Sequence, residues 1–210
     1  QEALFGLAVA HSQKGEGKLA MEFVKRALAA DLPFERFLAG PRMMLQALND
    51  LPAFRALKSL KNSMWIHGPI VGSVTDRSAR FWVRTESPTT LAVELYPVLQ
   101  GRRSKSILSE TVLTSEQDDF TATVEVGSLK ADQVYRYRLI LDGQKLSDLF
   151  QFRTFPKQYR SSVFKVAFGG GAAYTPEFER VFTTIKSHPP IAFLQLGDNI
   201  YVDQPAKRAI

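Results

Sequence analysis

The hydrophobic pattern of this 210-residue chain changes character twice. Over residues 1 to about 60, Ala, Leu, Met, Lys and Glu dominate and β-branched residues are few, which predicts helices. LFGLAVA (4–10) is read as helix, because the basic residues that precede a secretory leader are missing. Gly15 and Gly17 separate it from a second run, Lys18 to about Ala30. There Leu19, Phe23 and Ala27 form one stripe, with Met21, Val24 and Leu28 beside it. Pro33 ends this run, since proline removes a donor and crowds the preceding turn. Met43, Met44, Leu45 and Leu48 predict a further helix, most simply as core.

From about Trp65 to Phe155 the period shortens to two. IVGSVT, ARFWVRT, TLAVELYP, TATVEV, VYRYRLIL and LFQFRTF are the expected strands, separated by turn residues. Ala79, Phe81 and Val83 alternate with Arg80, Trp82 and Arg84, and short alternating runs over about 90 residues suggest an antiparallel sandwich. An exposed Trp or Arg on it would suit a sugar- or protein-binding module, and a plain spacer is the simpler expectation. FPKQYRSS (155–162) reads as a polar linker. FKVAF (164–168) is then a short apolar strand, followed by the turn Gly169-Gly170-Gly171 and Ala172-Ala173. Thr175 is placed as a helix N-cap, with Pro176 at the first helical position and Glu177 and Glu179 where the helix dipole favours acids. Phe178, Val181, Phe182 and Ile185 share one side, and Ser187-His188-Pro189-Pro190 closes the helix before the strand IAFLQL (191–196). Such a β-α-β unit is right-handed with parallel strands. The expected fold class is multidomain α and β: a helical segment (1–62), an antiparallel sandwich (65–156) and a β-α-β unit within 163–210.

Composition narrows the chemistry. An apolar share of 45% and a charged share of 23% fit a globular chain, and no run is long enough to cross a bilayer. The net charge of +6 suits anionic partners, but Lys and Arg are spread along the chain. The densest cluster, Gly101-Arg102-Arg103-Ser104-Lys105, reads as a solvated loop. With no cysteine, disulfides and thiolate metal ligands are excluded. Gln1 in place of an initiating Met implies processing or excision from a longer polypeptide.

Two resemblances attach to the first segments. Leu4, Leu7 and Ala8, then Ala20, Val24 and Ala27, with Pro33 near the closing position, resemble one tetratricopeptide repeat. A single repeat cannot bury its own face, so this pair is expected to need upstream neighbours or the following domain, and it could serve a protein partner. Leu129, Tyr135, Tyr137 and the Asp142-Gly143 turn resemble the end of a fibronectin type III-like sandwich, where a tyrosine hydroxyl bonds back to nearby backbone.

Parallel strands bring their C-terminal ends to one sheet edge, where open α/β sheets bind ligands. The Gly-rich turn after FKVAF and Gly197-Asp198 after IAFLQL are therefore expected side by side. Gly197 permits a sharp exit, Asp198 can bridge two cations with its two oxygens, and Tyr201 can turn back to the same side. Cations about 3.5 to 4 Å apart polarise a phosphoryl oxygen, supply hydroxide near neutral pH and clamp an in-line displacement. Asn199 and Asp203 either orient a ligand or bond to the loop backbone. Gly169, Gly170 and Gly171 form either an anion-holding nest or a tight turn, and no Gly-Lys-Ser/Thr follows to make a Walker loop. His11, His67 and His188 are read as surface or turn residues.

FKVAFGGGAAYTP followed by IAFLQLGDNIYVDQP, after the β segment IVGSVT…ARFWVRT, resembles the start of the catalytic domain of PhoD-type alkaline phosphatases, within the calcineurin-like metallophosphoesterases. The resemblance covers about residues 66 to 205 and leaves the helical segment outside. It implies that 163–210 opens a metallophosphoesterase domain left incomplete here, with Asp198 bridging an iron and a calcium and Tyr201 binding the iron. It also implies phosphate-ester substrates and an extracytoplasmic location. The family ends its first catalytic strand in Ser-Cys, whose thiolate binds iron, and Gly170 and Gly171 stand there instead. Its remaining ligands come from later strands. The expectation is a parent that hydrolyses phosphate esters by metal-activated water, and a 210-residue piece with little turnover of its own. The alternative is a non-catalytic binding or scaffold protein with a degenerate phosphatase-like part. Nucleic-acid binding ranks last, for want of an aromatic-plus-basic motif.

Overall fold

The computed structural model describes residues 1–61, 63–99, 105–171 and 180–197. Contacts divide these residues into two compact units, one built on residues 1–66 and the other on residues 67–169 and 181–196.

In the first unit, α1 (Glu2–Gln13) and α2 (Gly17–Ala29) pack on one another, followed by α3 (Glu35–Ala39), a 3-10 turn (Arg42–Leu45), α4 (Gln46–Asn49) and α5 (Pro52–Lys61). Small residues make the α1–α2 approach close: Ala8, Ala20, Val24 and Ala27 are fully buried. Of the expected stripes, Met21, Val24 and Ala27 are buried together with Ala20, while Leu19 faces solvent. The apolar face of this pair is closed by its own downstream residues: Leu32, Phe34, Phe37, Leu38, Leu45, Leu48 and Phe54 complete one core. Phe5 meets Phe37 at 5.2 Å between ring centroids, and Phe34 meets Phe54 at 5.7 Å. Ile66, at the start of the first strand, joins the same core, so residues 1–66 supply that burial between them. Met43 and Met44 are corrected too. Met43 is 92% exposed and Met44 is exposed, because the tight turn after Pro41 sends only Leu45, and then Leu48 from α4, inward.

The second segment forms two antiparallel sheets. One holds β1 (Trp65–Gly72), β2 (Ala79–Thr85) and β6 (Thr121–Val126) in the order 1-2-6. The other holds β4 (Ile107–Leu108), β3 (Thr90–Pro97), β7 (Val134–Leu141) and β8 (Gln144–Lys145), with β5 (Val112–Leu113) on β3 and β9 (Phe150–Arg153) on β7. The predicted alternation is observed: Ala79, Phe81, Val83 and Thr85 are buried, as are Tyr135, Tyr137, Leu139 and Leu141. The inner faces meet at Phe81, whose ring lies 4.7 Å from Tyr137 and 5.5 Å from Phe152. The first strand lies earlier than IVGSVT predicts: it starts at Trp65 and stops at Gly72, and Thr75 instead ties a turn through Ser78. Its Pro69 is tolerated because β1 is an edge strand.

Two local devices fix this unit. The Lys130 backbone N–H donates to the Tyr135 hydroxyl at 2.8 Å, the tyrosine corner expected from the sequence. Asp142 and Gly143 both adopt positive φ between β7 and β8, as a two-residue hairpin turn demands, and the Asp142 carboxylate accepts from the Thr90 backbone N–H at 2.8 Å.

Burial pushes the Tyr137 phenol up to about 12 from an ordinary value of 10.0. The folded state therefore favours the neutral phenol. This contribution is fully present below pH 10 and is lost as pH rises toward 12, up to roughly 3 kcal/mol in all. Denaturant unfolding at pH 9 and near pH 12 should show this loss in the parent chain and a smaller one in Tyr137→Phe. Equal losses in the two proteins would contradict it.

Candidate functional site

The residues from 166 to 197 form a β-α-β unit. β10 (Val166–Gly169) and β11 (Ala192–Gln195) pair in parallel, with Val166 opposite Ala192 and Gly169 opposite Gln195. They are joined through α6 (Arg180–Ser187), which packs Phe182 edge-on against Phe193 at 6.1 Å. The other face, with Phe168 (71% exposed), Leu194 and Leu196, is open to solvent. Both strands are thus apolar on two faces, the composition of a parallel sheet covered on both sides.

The two strand ends lie together, as the topology requires. The Leu196 backbone N–H donates to the Gly169 carbonyl at 2.9 Å, extending the ladder one residue past each strand. Beyond it a Cβ placed on Gly170 would sit 2.9 Å from the Gly197 carbonyl oxygen, closer than side chains come to backbone, so this approach is open only to glycine. Gly171 (φ +69°) and Gly197 (φ +122°) leave the strands in backbone conformations that favour glycine. A serine at 170 would press on the neighbouring turn, and a cysteine at 171 would be strained. Gly170 thus allows a close approach and Gly171 a left-handed exit, while Gly169 is the last residue of β10 with ordinary space around it.

The carboxylates and phenol assigned from the motif, Asp198, Asn199, Tyr201 and Asp203, lie outside the described residues, as do Thr175, Pro176, Glu177, Phe178 and Glu179. Among the described residues no three His, Asp or Glu side chains gather within reach of one ion, so these residues do not by themselves make a metal centre. His67 and His188 are exposed, as expected of surface residues, whereas His11 is half-buried within α1. His11 pairs with Glu16 at 2.5 Å and stacks on Phe23, His67 lies by Arg84, and His188 is exposed after α6. Burial and the Arg84 charge hold the His67 imidazole below its ordinary value, against the pull of Asp119. On the outer face of the first sheet Trp82 is half-buried, Arg80 pairs with Glu125 at 2.9 Å, and Arg84 pairs with Asp119 at 2.7 Å.

Sequence reading missed one buried charged cluster. Glu94, on the outer face of β3, is only 6% exposed, and Lys145 Nζ lies 3.0 Å from both of its oxygens. Strand alternation marked this position as outward, and only the charges of Arg138 and Lys145 nearby in the hairpin could have pointed to the cluster.

Residues 62–159, just under half of the chain, match the model of a domain of unknown function (DUF7800). No curated protein matches the chain. Among solved structures, one of PhoD is similar with a TM-score of 0.52 and 19% identity, covering 62% of this chain and 27% of that one. This is a likeness of fold, and the chain spans about a quarter of the PhoD structure's length. The FN5 domain of Drosophila Lar (TM-score 0.32, 11% identity, 42% of this chain and 91% of that one) is also similar. So is the sensor domain of the anti-sigma factor RsgI4 from Pseudobacteroides cellulosolvens (0.32, 14%, 41% and 90%). The protein is one of mixed helices and antiparallel sheets, and no described helix is long and apolar enough to cross a membrane.

Proposed function

We propose that the chain carries the opening part of a metal-dependent phosphoesterase related to PhoD-type alkaline phosphatases, with a fibronectin type III-like sandwich at 65–156 ahead of a catalytic domain that starts near residue 163. The observation that carries this reading is the parallel β10–β11 pair, whose two C-terminal ends abut through Gly170 and Gly197. The segment GDNIYVDQP follows from that edge, the side on which α/β sheets place ligands. The similarity to the PhoD fold supports the same reading.

In this proposal Asp198 and Tyr201 supply oxygen donors to two cations at the sheet edge. Asn199 and Asp203 orient them, and the glycine turns admit the ester's phosphate close to the backbone. A cation pair of this kind polarises a phosphoryl oxygen and activates water near neutral pH. With glycine at 171 no thiolate is offered, so a calcium-type oxygen site is favoured over iron. The location proposed by resemblance is extracytoplasmic. Hydrolysis of p-nitrophenyl phosphate and bis-p-nitrophenyl phosphate by the full-length protein should fall to background with a chelator and return when metal is restored. Activity indifferent to chelation would overturn the proposal. The 210-residue chain by itself is expected to show little turnover.

The same glycines favour a second reading, a binding or scaffold protein whose phosphatase-like part has lost its chemistry. Purified full-length protein would then hold no metal, whereas the first reading requires bound metal in near-stoichiometric amount.

A further inference from the structure

The outer face of the second sheet carries a cationic platform that the phosphoesterase reading does not use. Strand register sets Glu94 opposite Arg138 and Tyr96 opposite Arg136 across β3 and β7, and Leu108 of β4 beside Glu94. Directly opposed residues lie on one face. Glu94 is buried at the base, bonded by Lys145, Tyr96 and Ser106, with Arg138 Nε 3.7 Å away. Burial pushes its carboxyl up, but those hydrogen bonds outweigh burial and hold it below the usual carboxylate range. The Arg138 guanidinium lies over the Tyr96 ring at 5.2 Å. One carboxylate thus faces two cations, hydrogen-bonded to Lys145 and at longer range from Arg138, leaving positive charge in surplus. Arg136 adds to that surplus: it is exposed, and among the described residues no ion pair engages it.

We propose that this face docks an extended acidic segment of a partner protein, with Arg136, Arg138 and Lys145 receiving its carboxylates. Residues two apart on a strand stand roughly 6.8 Å apart on one face, which matches alternate side chains of an extended peptide. A guanidinium held over a phenol ring loses less freedom when its fork meets a carboxylate. Arg and Tyr are also the residues that anchor interfaces. Leu108, 62% exposed next to Glu94, gives an apolar neighbour to the charged row and favours a peptide over a phosphodiester backbone.

The test is a titration of the 210-residue chain, followed by amide NMR shifts, with an eight-residue peptide of alternating Glu and Ser. A Gln-Ser peptide and a DNA oligonucleotide of equal charge are the comparisons. The expected result is shifts centred on Tyr96, Arg136, Arg138 and Lys145. Affinity should fall at least tenfold in Arg136→Glu and stay unchanged in Arg80→Glu, which makes the same charge change on the opposite sheet. The inference is overturned by binding no tighter than that of the Gln-Ser peptide, by equal or tighter binding of the oligonucleotide, or by equal losses in the two variants.

Discussion

Phe81→Ala is expected to lower the unfolding free energy of the β-sheet segment by about 3–5 kcal/mol. Phe81 is fully buried where the two sheets meet, and its ring touches Tyr137 and Phe152 of the opposite sheet. Truncation removes the transfer free energy of the ring and leaves a cavity that paired strands on both sides cannot close. It also removes two tilted or edge-on aromatic contacts, each worth about 0.5–1.5 kcal/mol beyond area alone. Trp82, the next residue on β2, reports the transition by fluorescence. The denaturant midpoint should fall with the slope unchanged. A loss below 1 kcal/mol would mean that the inner faces do not depend on this ring. A cycle with Phe152→Ala should give a coupling of about 0.5–1.5 kcal/mol between the two positions.

Much of the sandwich is legible in the chain because burial of one sheet face writes a period of two. ARFWVRT and VYRYRLIL follow it residue by residue, and Tyr135 with Asp142-Gly143 marks a corner and a hairpin turn by their own chemistry. What escaped reading has equally physical causes. The two-residue strands β4, β5 and β8 are too short to show any period. Gly68-Pro69 looks like punctuation, yet an edge strand has no need of the proline's missing donor, so β1 runs through it. In the helical segment, composition signals helix but cannot say which face turns inward. Ala20 rather than Leu19 is buried, and a 3-10 turn leaves Met43 and Met44 in solvent.

The candidate site divides along the same lines. The parallel pairing of two short apolar strands and the adjacency of their glycine exits follow from strand-helix-strand order, and both are present. The donors were read from a motif and its family resemblance alone, and they lie outside the described residues. The Glu94 cluster was hidden for the opposite reason: an outward position in an alternating strand reads as solvated, and only the register of β3, β7 and β8 reveals what covers it.

In the proposed site the first residue beyond Gly197 is a shared cation ligand. The direct measurement is bound metal and phosphate-ester hydrolysis in the full-length protein, with and without Asp198→Asn. A cation pair contributes several kcal/mol to transition-state stabilisation, and at about 1.4 kcal/mol per decade its loss should lower turnover roughly a thousandfold. The variant should also lose most of its bound metal, with an unfolding midpoint that matches that of the metal-stripped parent. An Asp198→Asn protein that keeps both its metal and its hydrolytic rate would contradict the proposed site.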